Sequence, residues 1–222
     1  MPINSDKNKF LKEINEIRSR VHTYQKDWPP EEFYQYESNI THEQLEGLRQ
    51  IVEKNSKEKE IDQFIRNNPV VLTASLAFAS TGHHGSWILS QKMIRPMLGE
   101  GRPGLIPDFI IGGRSSDGFS WWVVELKGAN ANLFSRKGEN LYFSKELNRG
   151  LCQLLSYIDY CSEAQSSLRD QFRLTDFREP KGMILIGREK ELGDDEQRQK
   201  LKSVWNRTTR NSLEIRTYDA LL

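Results

Sequence analysis

Two acidic residues and a lysine carry the clearest chemical signal in this chain. Asp108 follows a proline, and Glu125 and Lys127 stand on either side of Leu126. Side chains alternate between the two faces of a strand, so Glu125 and Lys127 point to the same side. A hairpin between the two segments returns them beside Asp108 on the neighbouring strand. Two carboxylates and an ammonium group are therefore predicted to converge.

This combination is suited to cutting a phosphodiester bond. Residues opposite or diagonal on adjacent strands have Cβ atoms about 5 to 8 Å apart, and a hard cation such as Mg²⁺ can bridge that span through carboxylate oxygens. Mn²⁺ could replace it. The cation would hold water and a phosphate oxygen together, and Lys127 would orient the water or stabilise the pentacovalent phosphate.

The same residues also have a purely structural interpretation. Glu125 and Lys127 could form an exposed ion pair at a strand end, with Asp108 as a turn residue. However, Trp121–Val124 is apolar on both faces, which is typical of a central strand. The charged end of such a strand opens into a cleft, which favours the chemical interpretation.

The elements that must position these residues are those of an α/β domain. Apolar, β-branched and aromatic runs predict strands at 86–94, 105–111 and 119–127. A hairpin connection at 112–118 joins the last two strands, and a polar loop follows the third. Apolar periodicity then predicts a helix at 147–158, a strand at 182–187, a helix at 194–206 and a strand at 213–218. The predicted order is α, β, β, β, α, β, α, β.

Residues 1–55 are predicted to be a helical appendage to a main domain at 56–222. Apolar residues at helical spacing mark its first helix: Phe10, Ile14, Ile17 and Val21. Thr41 and Gln44 form a capping box that opens a second helix. Asn55 and Glu58 repeat this signature before the helix that begins the main domain and ends at 67–69.

Composition excludes several classes of protein. The chain has 222 residues, with 32 Lys and Arg against 31 Asp and Glu, so its net charge does not indicate a nucleic-acid partner. It has no apolar run of membrane-spanning length and no apolar leader, so neither a membrane span nor a secretory signal is expected. Cys152 and Cys161 would lie about 13.5 Å apart along one helix, too far for a disulfide. A reducing, cytoplasmic location is therefore predicted.

Other motifs give weaker signals. A GxGxxG pattern at 99–104 contains Pro103 and precedes a predicted strand, so it lacks the helix that would bind a pyrophosphate. His83 and His84 lie in a glycine-bounded loop with no Cys nearby, which leaves a zinc site short of ligands. The loop is either incidental or a phosphate contact. The chain has no G-x-S-x-G or P-loop segment, and no nucleotide cofactor is expected.

The Pro107-Asp108 and Glu125-Leu126-Lys127 motifs, set in this element order, resemble the PD-(D/E)XK phosphodiesterase superfamily of restriction-type nucleases. Within it, the segments EKEIDQFIRNNP, VVELKGA and CQLLSYIDY resemble the nuclease domain of the Shedu antiphage defence proteins. The resemblance covers about residues 56–222. It implies a restriction-endonuclease-like core with a mixed central sheet flanked by helices. It also implies a Mg²⁺-dependent DNA endonuclease of bacterial antiphage defence that forms homo-oligomers.

The resemblance also implies further site residues. Gln153 and Tyr157, four apart on one helix face, match a Gln-x-x-x-Tyr pattern that supports substrate and metal geometry in RecB-type members. Glu58 corresponds to an acidic residue that completes the metal shell in many members, and Glu60 takes that role if the alignment shifts by two residues. Each also has a structural interpretation: Glu58 in a capping box, Gln153 and Tyr157 as polar residues of a half-buried helix.

Two other functions stay open at this point. The fold could serve as a nucleic-acid-binding or assembly module without catalysis. It could also be a nuclease of DNA repair or of mobile elements, with the same chemistry in another role. The presence of Asp108, Glu125 and Lys127 together argues against a decayed active site.

Overall fold

A mixed six-stranded sheet organises the fold. The computed structural model describes residue 13 and residues 24–78, 81–95, 103–193, 195–209 and 212–222. The strands in chain order are β1 (Tyr34–Gln35), β2 (Ser86–Ser90), β3 (Phe109–Ser115), β4 (Gly118–Leu126), β5 (Phe134–Lys137), β6 (Asn140–Phe143), β7 (Lys181–Leu185) and β8 (Leu213–Arg216). The sheet order is β1-β2-β3-β4-β7-β8, and β5 pairs with β6 in a separate two-stranded sheet.

Helices flank the sheet. In chain order they are α1 (His42–Glu53), α2 (Glu58–Asn67), α3 (Thr73–Phe78), α4 (Lys145–Glu163), α5 (Gln165–Phe172) and α6 (Glu196–Thr209). Short 3-10 helices lie at Glu31–Phe33, Glu37–Asn39, Pro69–Leu72, Glu189–Glu191 and Tyr218–Leu221. The prediction of an α/β fold with a mixed sheet between helices is confirmed.

Strand β4 lies inside the sheet and has a hydrophobic core on each face. It pairs antiparallel with β3 and parallel with β7. Trp121 and Val123 pack with residues of α4, whereas Trp122 and Val124 pack with residues of α1 and α2. By alternation, the next residue, Glu125, belongs to the α4 face. The sheet therefore delivers the candidate catalytic carboxylate to a site beneath α4.

The hairpin between β3 and β4 is tighter than predicted. The connection was expected at 112–118, but β3 continues through Gly112 and Gly113 to Ser115 and pairs with β4. A Cβ at Gly112 would lie 2.5 Å from the Trp121 ring, so this glycine reflects packing against an aromatic side chain and not a turn. The bounds of the first two predicted strands shift too, because β2 ends at residue 90 and β3 begins at residue 109.

Several elements have no counterpart in the sequence prediction, among them strand β1, the β5–β6 hairpin, which occupies the predicted polar loop, and helices α3 and α5. The hairpin is polar along its outer face, but Phe134 and Phe143 pair on its inner face with ring centroids 6.0 Å apart. Phe143 also packs edge-on against Trp205 of α6, at 5.4 Å. This contact with a distant part of the chain stabilises a hairpin that the local sequence does not predict.

The two predicted helix caps have different outcomes. The Thr41 box is confirmed, because Thr41 Oγ1 accepts from Gln44 N at 3.2 Å and Gln44 Oε1 accepts from Thr41 N at 3.0 Å. The Asn55 box is wrong, because Lys57 precedes α2 and no side chain caps that helix. Asn55 instead has φ +53° and ends α1, where its N–H donates to Val52 O at 3.0 Å.

Described residues before residue 55 contribute to the same cores. Tyr34 of β1 pairs with Trp87 of β2, and Trp28 is buried in the core on the α4 side. Leu48 and Val52 of α1 are fully buried on the other side. The predicted apolar stripe at Phe10, Ile14, Ile17 and Val21 lies outside the described residues. The domain boundary at residue 55 stays a prediction.

Two further expectations concern the whole chain. Cys152 is exposed and Cys161 is buried, and both are free thiols, so the prediction that they form no disulfide is confirmed. Among the described helices, none combines the length and the apolar character that crossing a membrane requires.

Candidate active site

The pairing of β3 with β4 brings Asp108 to the end of β4. Phe109 is opposite Val124, so the preceding residue, Asp108, lies level with Glu125. The Asp108 carboxylate is half-buried, and its Oδ2 accepts a hydrogen bond from Leu126 N at 2.7 Å. The backbone of β4 therefore holds the first carboxylate in the place that the hairpin predicts.

Glu125 and Lys127 form a buried ion pair. Lys127 Nζ donates to Glu125 Oε1 at 2.7 Å, and the two residues are only 6% and 4% exposed. An exposed ion pair at a strand end, the alternative interpretation, is therefore wrong. Buried charges need ion-pair and hydrogen-bond partners, because removing them from water is costly.

Glu58 reaches this pair from the first turn of α2. Its Oε2 lies 3.5 Å from Lys127 Nζ, and its side chain is 48% exposed. The end of β4 and the start of α2 are joined by the hydrogen bond from Ala129 N to Ser56 O, at 2.9 Å. Glu60 is also exposed on α2. Of the two acidic residues considered, the structure brings Glu58 to Lys127.

Tyr157 and Gln153 approach from α4. Tyr157 is buried, and its hydroxyl donates to Ile106 O at 3.3 Å. Burial, followed by the charge of Glu125, raises the pKa of the Tyr157 hydroxyl above its ordinary value, whereas a hydrogen bond with the Gln153 side chain lowers it. Gln153 is half-buried, and its Oε1 has no hydrogen-bond partner among the described residues. Tyr157 therefore lies beside the carboxylates, and Gln153 lies beside Tyr157.

The electrostatics of the site are dominated by burial. Burial and then the charge of Asp108 raise the pKa of Glu125 to about 7, against the hydrogen bond from Lys127. Burial also raises the pKa of Asp108, which the hydrogen bond from Leu126 N partly offsets. Burial alone would lower the pKa of Lys127, but the hydrogen bond and charge of Glu125 raise it above the usual lysine value. Two carboxyl groups of raised pKa thus flank a lysine that stays charged.

Comparison with known proteins identifies the family. The family described as Shedu protein SduA, C-terminal, matches residues 55–222, which include every site residue described above. The chain belongs to the Shedu family. Membership supports a role in antiphage defence. No curated protein matches the chain.

Two residues that support the Shedu site were not anticipated from the sequence. The Tyr218 hydroxyl, fully buried, donates to Lys127 O at 2.6 Å and so fixes the backbone of the lysine. Gly150 of α4 lies against the Lys127 side chain, because a Cβ there would be 3.3 Å from Lys127 Cε and 2.3 Å from Ile184 Cδ1. A glycine inside a helical pattern is the sequence signal that could have indicated Gly150. Tyr218 is 91 residues from Lys127, and no sequence pattern links the two residues.

The donor set of this Shedu chain fits a hard divalent cation. Asp108 and Glu125 supply carboxylate oxygens whose mutual repulsion a cation would relieve. Among the described residues, no group of three or more His, Cys, Asp or Glu side chains is placed to hold a metal ion. Mg²⁺ commonly needs only one or two carboxylates, because waters and substrate phosphate oxygens complete its shell. Two carboxylates are therefore compatible with a Mg²⁺ site, and Glu58 stays a predicted third ligand.

Proposed function

We propose that this protein is a metal-dependent deoxyribonuclease with a PD-(D/E)XK core, which cuts or nicks DNA in antiphage defence. The observation that carries the proposal is the cluster at the end of β4, where half-buried Asp108 lies beside the buried ion pair of Glu125 and Lys127. Titratable groups with shifted pKa values collect at functional sites, because burying them only for structure is costly. Membership of a defence family supports the biological half of the proposal.

In this proposal Asp108 and Glu125 would hold Mg²⁺, or Mn²⁺ in its place. Glu58 would join them as a third ligand by turning away from Lys127, because the described residues do not already place three such groups around one point. When bound, the metal lowers the pKa of a coordinated water and polarises the phosphate. Glu125 must be ionised to serve as a ligand. Since its pKa is about 7 in the metal-free protein, part of the site is protonated near neutral pH until the cation binds.

Lys127 acts on the phosphate. A water oxygen forms a bond to phosphorus and releases one proton to bulk water. The bond between phosphorus and one sugar oxygen breaks, and that oxygen takes up a proton from bulk water. The Lys127 ammonium, held by Glu125 at 2.7 Å and by Glu58 at 3.5 Å, orients the water and stabilises the negative charge that develops. Tyr157 and Gln153 are positioning residues that support Glu125 from the α4 side.

The proposed partner is DNA, and the proposed location is the cytoplasm, where free Cys152 and Cys161 would stay reduced. We further propose that copies of the chain assemble into a homo-oligomer. Light scattering on the full chain tests the last point directly, since a mass of one chain, 25.9 kDa, would contradict it.

A plasmid assay tests the function. Supercoiled plasmid is incubated with the wild-type protein in Mg²⁺ and in EDTA, beside a Glu125→Gln variant that keeps the shape of the side chain but removes a charge. We expect relaxed or linear plasmid only with wild-type protein and Mg²⁺. Intact plasmid in every sample, or equal cutting in EDTA, would overturn the proposal.

A binding-only domain is the competing function. The observation in its favour is that Lys127 already has a carboxylate partner at 2.7 Å, as a purely structural lysine would. Such a domain would bind DNA without converting the plasmid. Plasmid cleavage and DNA binding, measured together on a Lys127→Ala variant, separate these two functions.

A further inference from the structure

A polar cleft of about 460 Å³ opens directly beside the candidate active site. Its walls come from the start of α2, the loop that follows β4 and the start of α4. Glu58 lines the cleft and also contacts Lys127, and Gly128, the next residue after that lysine, forms part of its wall. The cleft and the candidate active site are therefore neighbours that share one carboxylate.

The charged and amide side chains that line this cleft are of three kinds. Two are ammonium groups, Lys57 and Lys145, and two are carboxamides, Asn130 and Asn132. All four residues are exposed, and none forms a hydrogen bond or ion pair through its side chain with another described residue. Two are carboxylates: Glu58, which is turned to Lys127, and Glu146. Gly128, Ala131 and Ser144, whose hydroxyl accepts from Leu147 N, complete the lining.

This combination fits a ligand that carries both negative charge and neutral polar groups. A bare polyphosphate would need a larger excess of cations than two lysines beside two carboxylates provide. A nucleotide unit within a strand has one phosphate charge together with a sugar and a base that offer donors and acceptors. Lysines neutralise phosphates in nucleic-acid complexes, and asparagine side chains hydrogen-bond to base edges. A cleft of about 460 Å³ lies in the range of sites that accommodate a small organic ligand.

We propose that the cleft binds the nucleotide adjacent to the cleaved phosphodiester, which extends the substrate-binding surface beyond the candidate active site. Lys57 and Lys145 bind its phosphate, and Asn130 and Asn132 hydrogen-bond to its sugar or base. The proposal rests on the proposed nuclease function, because the cleft is defined by its position next to Lys127. Gly128 permits this arrangement, since a Cβ there would lie 2.2 Å from Asn130 Oδ1.

The first test removes the two cleft lysines. A Lys57→Ala/Lys145→Ala variant is compared with a Lys59→Ala/Lys200→Ala control, which removes the same charge from exposed helix positions outside the cleft. DNA binding is measured with a labelled linear duplex in EDTA over a range of salt concentrations, and cleavage with plasmid in Mg²⁺. We expect about tenfold weaker binding, a salt dependence reduced by about one to two phosphate equivalents, and a raised KM with kcat within about twofold of wild type.

The second test removes the amides without changing charge. An Asn130→Ala/Asn132→Ala variant should raise KM several-fold and leave the salt dependence as in wild type, because amides release no counterions. Asn140→Ala, on the exposed β6 strand, is the matched control. Urea unfolding checks that each variant is folded. We expect little loss of stability, because the substituted positions are exposed.

The outcomes distinguish the two proposals. If wild-type protein cuts plasmid and the cleft variants match their controls in binding and KM, the cleft proposal is wrong and the nuclease proposal stands. If wild-type protein cuts no plasmid, the nuclease proposal fails, and the cleft proposal fails with it. Plasmid cutting by the wild-type protein, together with weakened binding and a raised KM in the cleft variants and unchanged controls, supports both.

Discussion

At the scale of single residues, the Glu125 carboxyl sets the charge of the candidate site. Burial and the neighbouring Asp108 raise its pKa to about 7, compared with 4.5 for an ordinary glutamate. Between these two values the folded protein holds a proton that the unfolded chain has released. The free energy of unfolding therefore falls as pH rises from about 4.5 to about 7, and levels off above that range.

This linkage gives a prediction for Glu125→Gln, which cannot titrate. In EDTA, urea unfolding from about pH 5 to about pH 8 should show wild-type stability declining relative to the variant as pH rises. Added Mg²⁺ should diminish the decline in the wild type, because the cation favours the ionised carboxylate. Parallel curves for the two proteins in EDTA would contradict the raised pKa.

The sequence predicts those contacts of the site that form between residues on one strand or on two adjacent strands. Asp108, Glu125 and Lys127 are predicted to converge because strand alternation and hairpin pairing act over short distances. The support of Lys127 by Tyr218 depends on where the last segment of the chain packs, which no local pattern encodes. Glu58 was indicated only by resemblance, and its proximity to Lys127 depends on the backbone hydrogen bond between the loop after β4 and the segment before α2.

At the scale of elements, α4 packs against the sheet through Gly150. Alanine there would favour the helix by about 1 kcal/mol, whereas overpacking a core costs about 1–3 kcal/mol. The Cβ would lie 2.3 Å from buried Ile184 Cδ1 and 3.3 Å from Lys127 Cε. The side chain of the candidate catalytic lysine therefore occupies space that the helix leaves free.

We expect Gly150→Ala to lower the free energy of unfolding by up to about 2 kcal/mol and to slow plasmid cleavage, because Lys127 must shift. Urea unfolding and the plasmid assay measure the two effects. Arg149→Ala, at an exposed position of the same helix, is the control. A Gly150→Ala protein that is more stable than wild type and equally active would show that the contact does not constrain the helix.

The sequence does not predict elements whose stability depends on packing against distant parts of the chain. The polar residues 135–140 predict a loop, but the chain forms the β5–β6 hairpin because Phe143 packs against Trp205. The Asn55 cap failed for a different reason: the same residue type that caps a helix start also tolerates positive φ, and here Asn55 ends α1. Where a cap has two reciprocal bonds, as at Thr41, the prediction holds.

At the scale of the whole molecule, the segment before residue 55 is part of the packing. Leu48 and Val52 are fully buried, and Trp28 is buried beside the sheet. Each such side chain contributes about 1.5–3 kcal/mol through burial. Arg188 Nη1 also donates to Val52 O at 2.7 Å, which ties α1 to the segment after β7.

These contacts give a prediction for truncated chains. A chain that begins at Tyr24 keeps all of them and should unfold cooperatively in urea, with a midpoint near that of the full chain. A chain that begins at Asn55 loses the buried side chains of Trp28, Leu48 and Val52 and should lose several kcal/mol of stability or its cooperative transition. If both shortened chains unfold at the same urea concentration, residues 24–54 form a separate appendage, as the boundary at residue 55 predicts.

The central claim is that Asp108, Glu125 and Lys127 cut DNA, and Lys127→Ala tests it most directly. Plasmid cleavage in Mg²⁺ and binding of a labelled duplex in EDTA are measured on the same preparation, with Lys59→Ala as the control. We expect cleavage to fall by about 100-fold or more, the scale of losing one preorganised electrostatic group, while DNA affinity changes little. Cleavage at the wild-type rate, or a loss of affinity that accounts for the whole decrease, would contradict it.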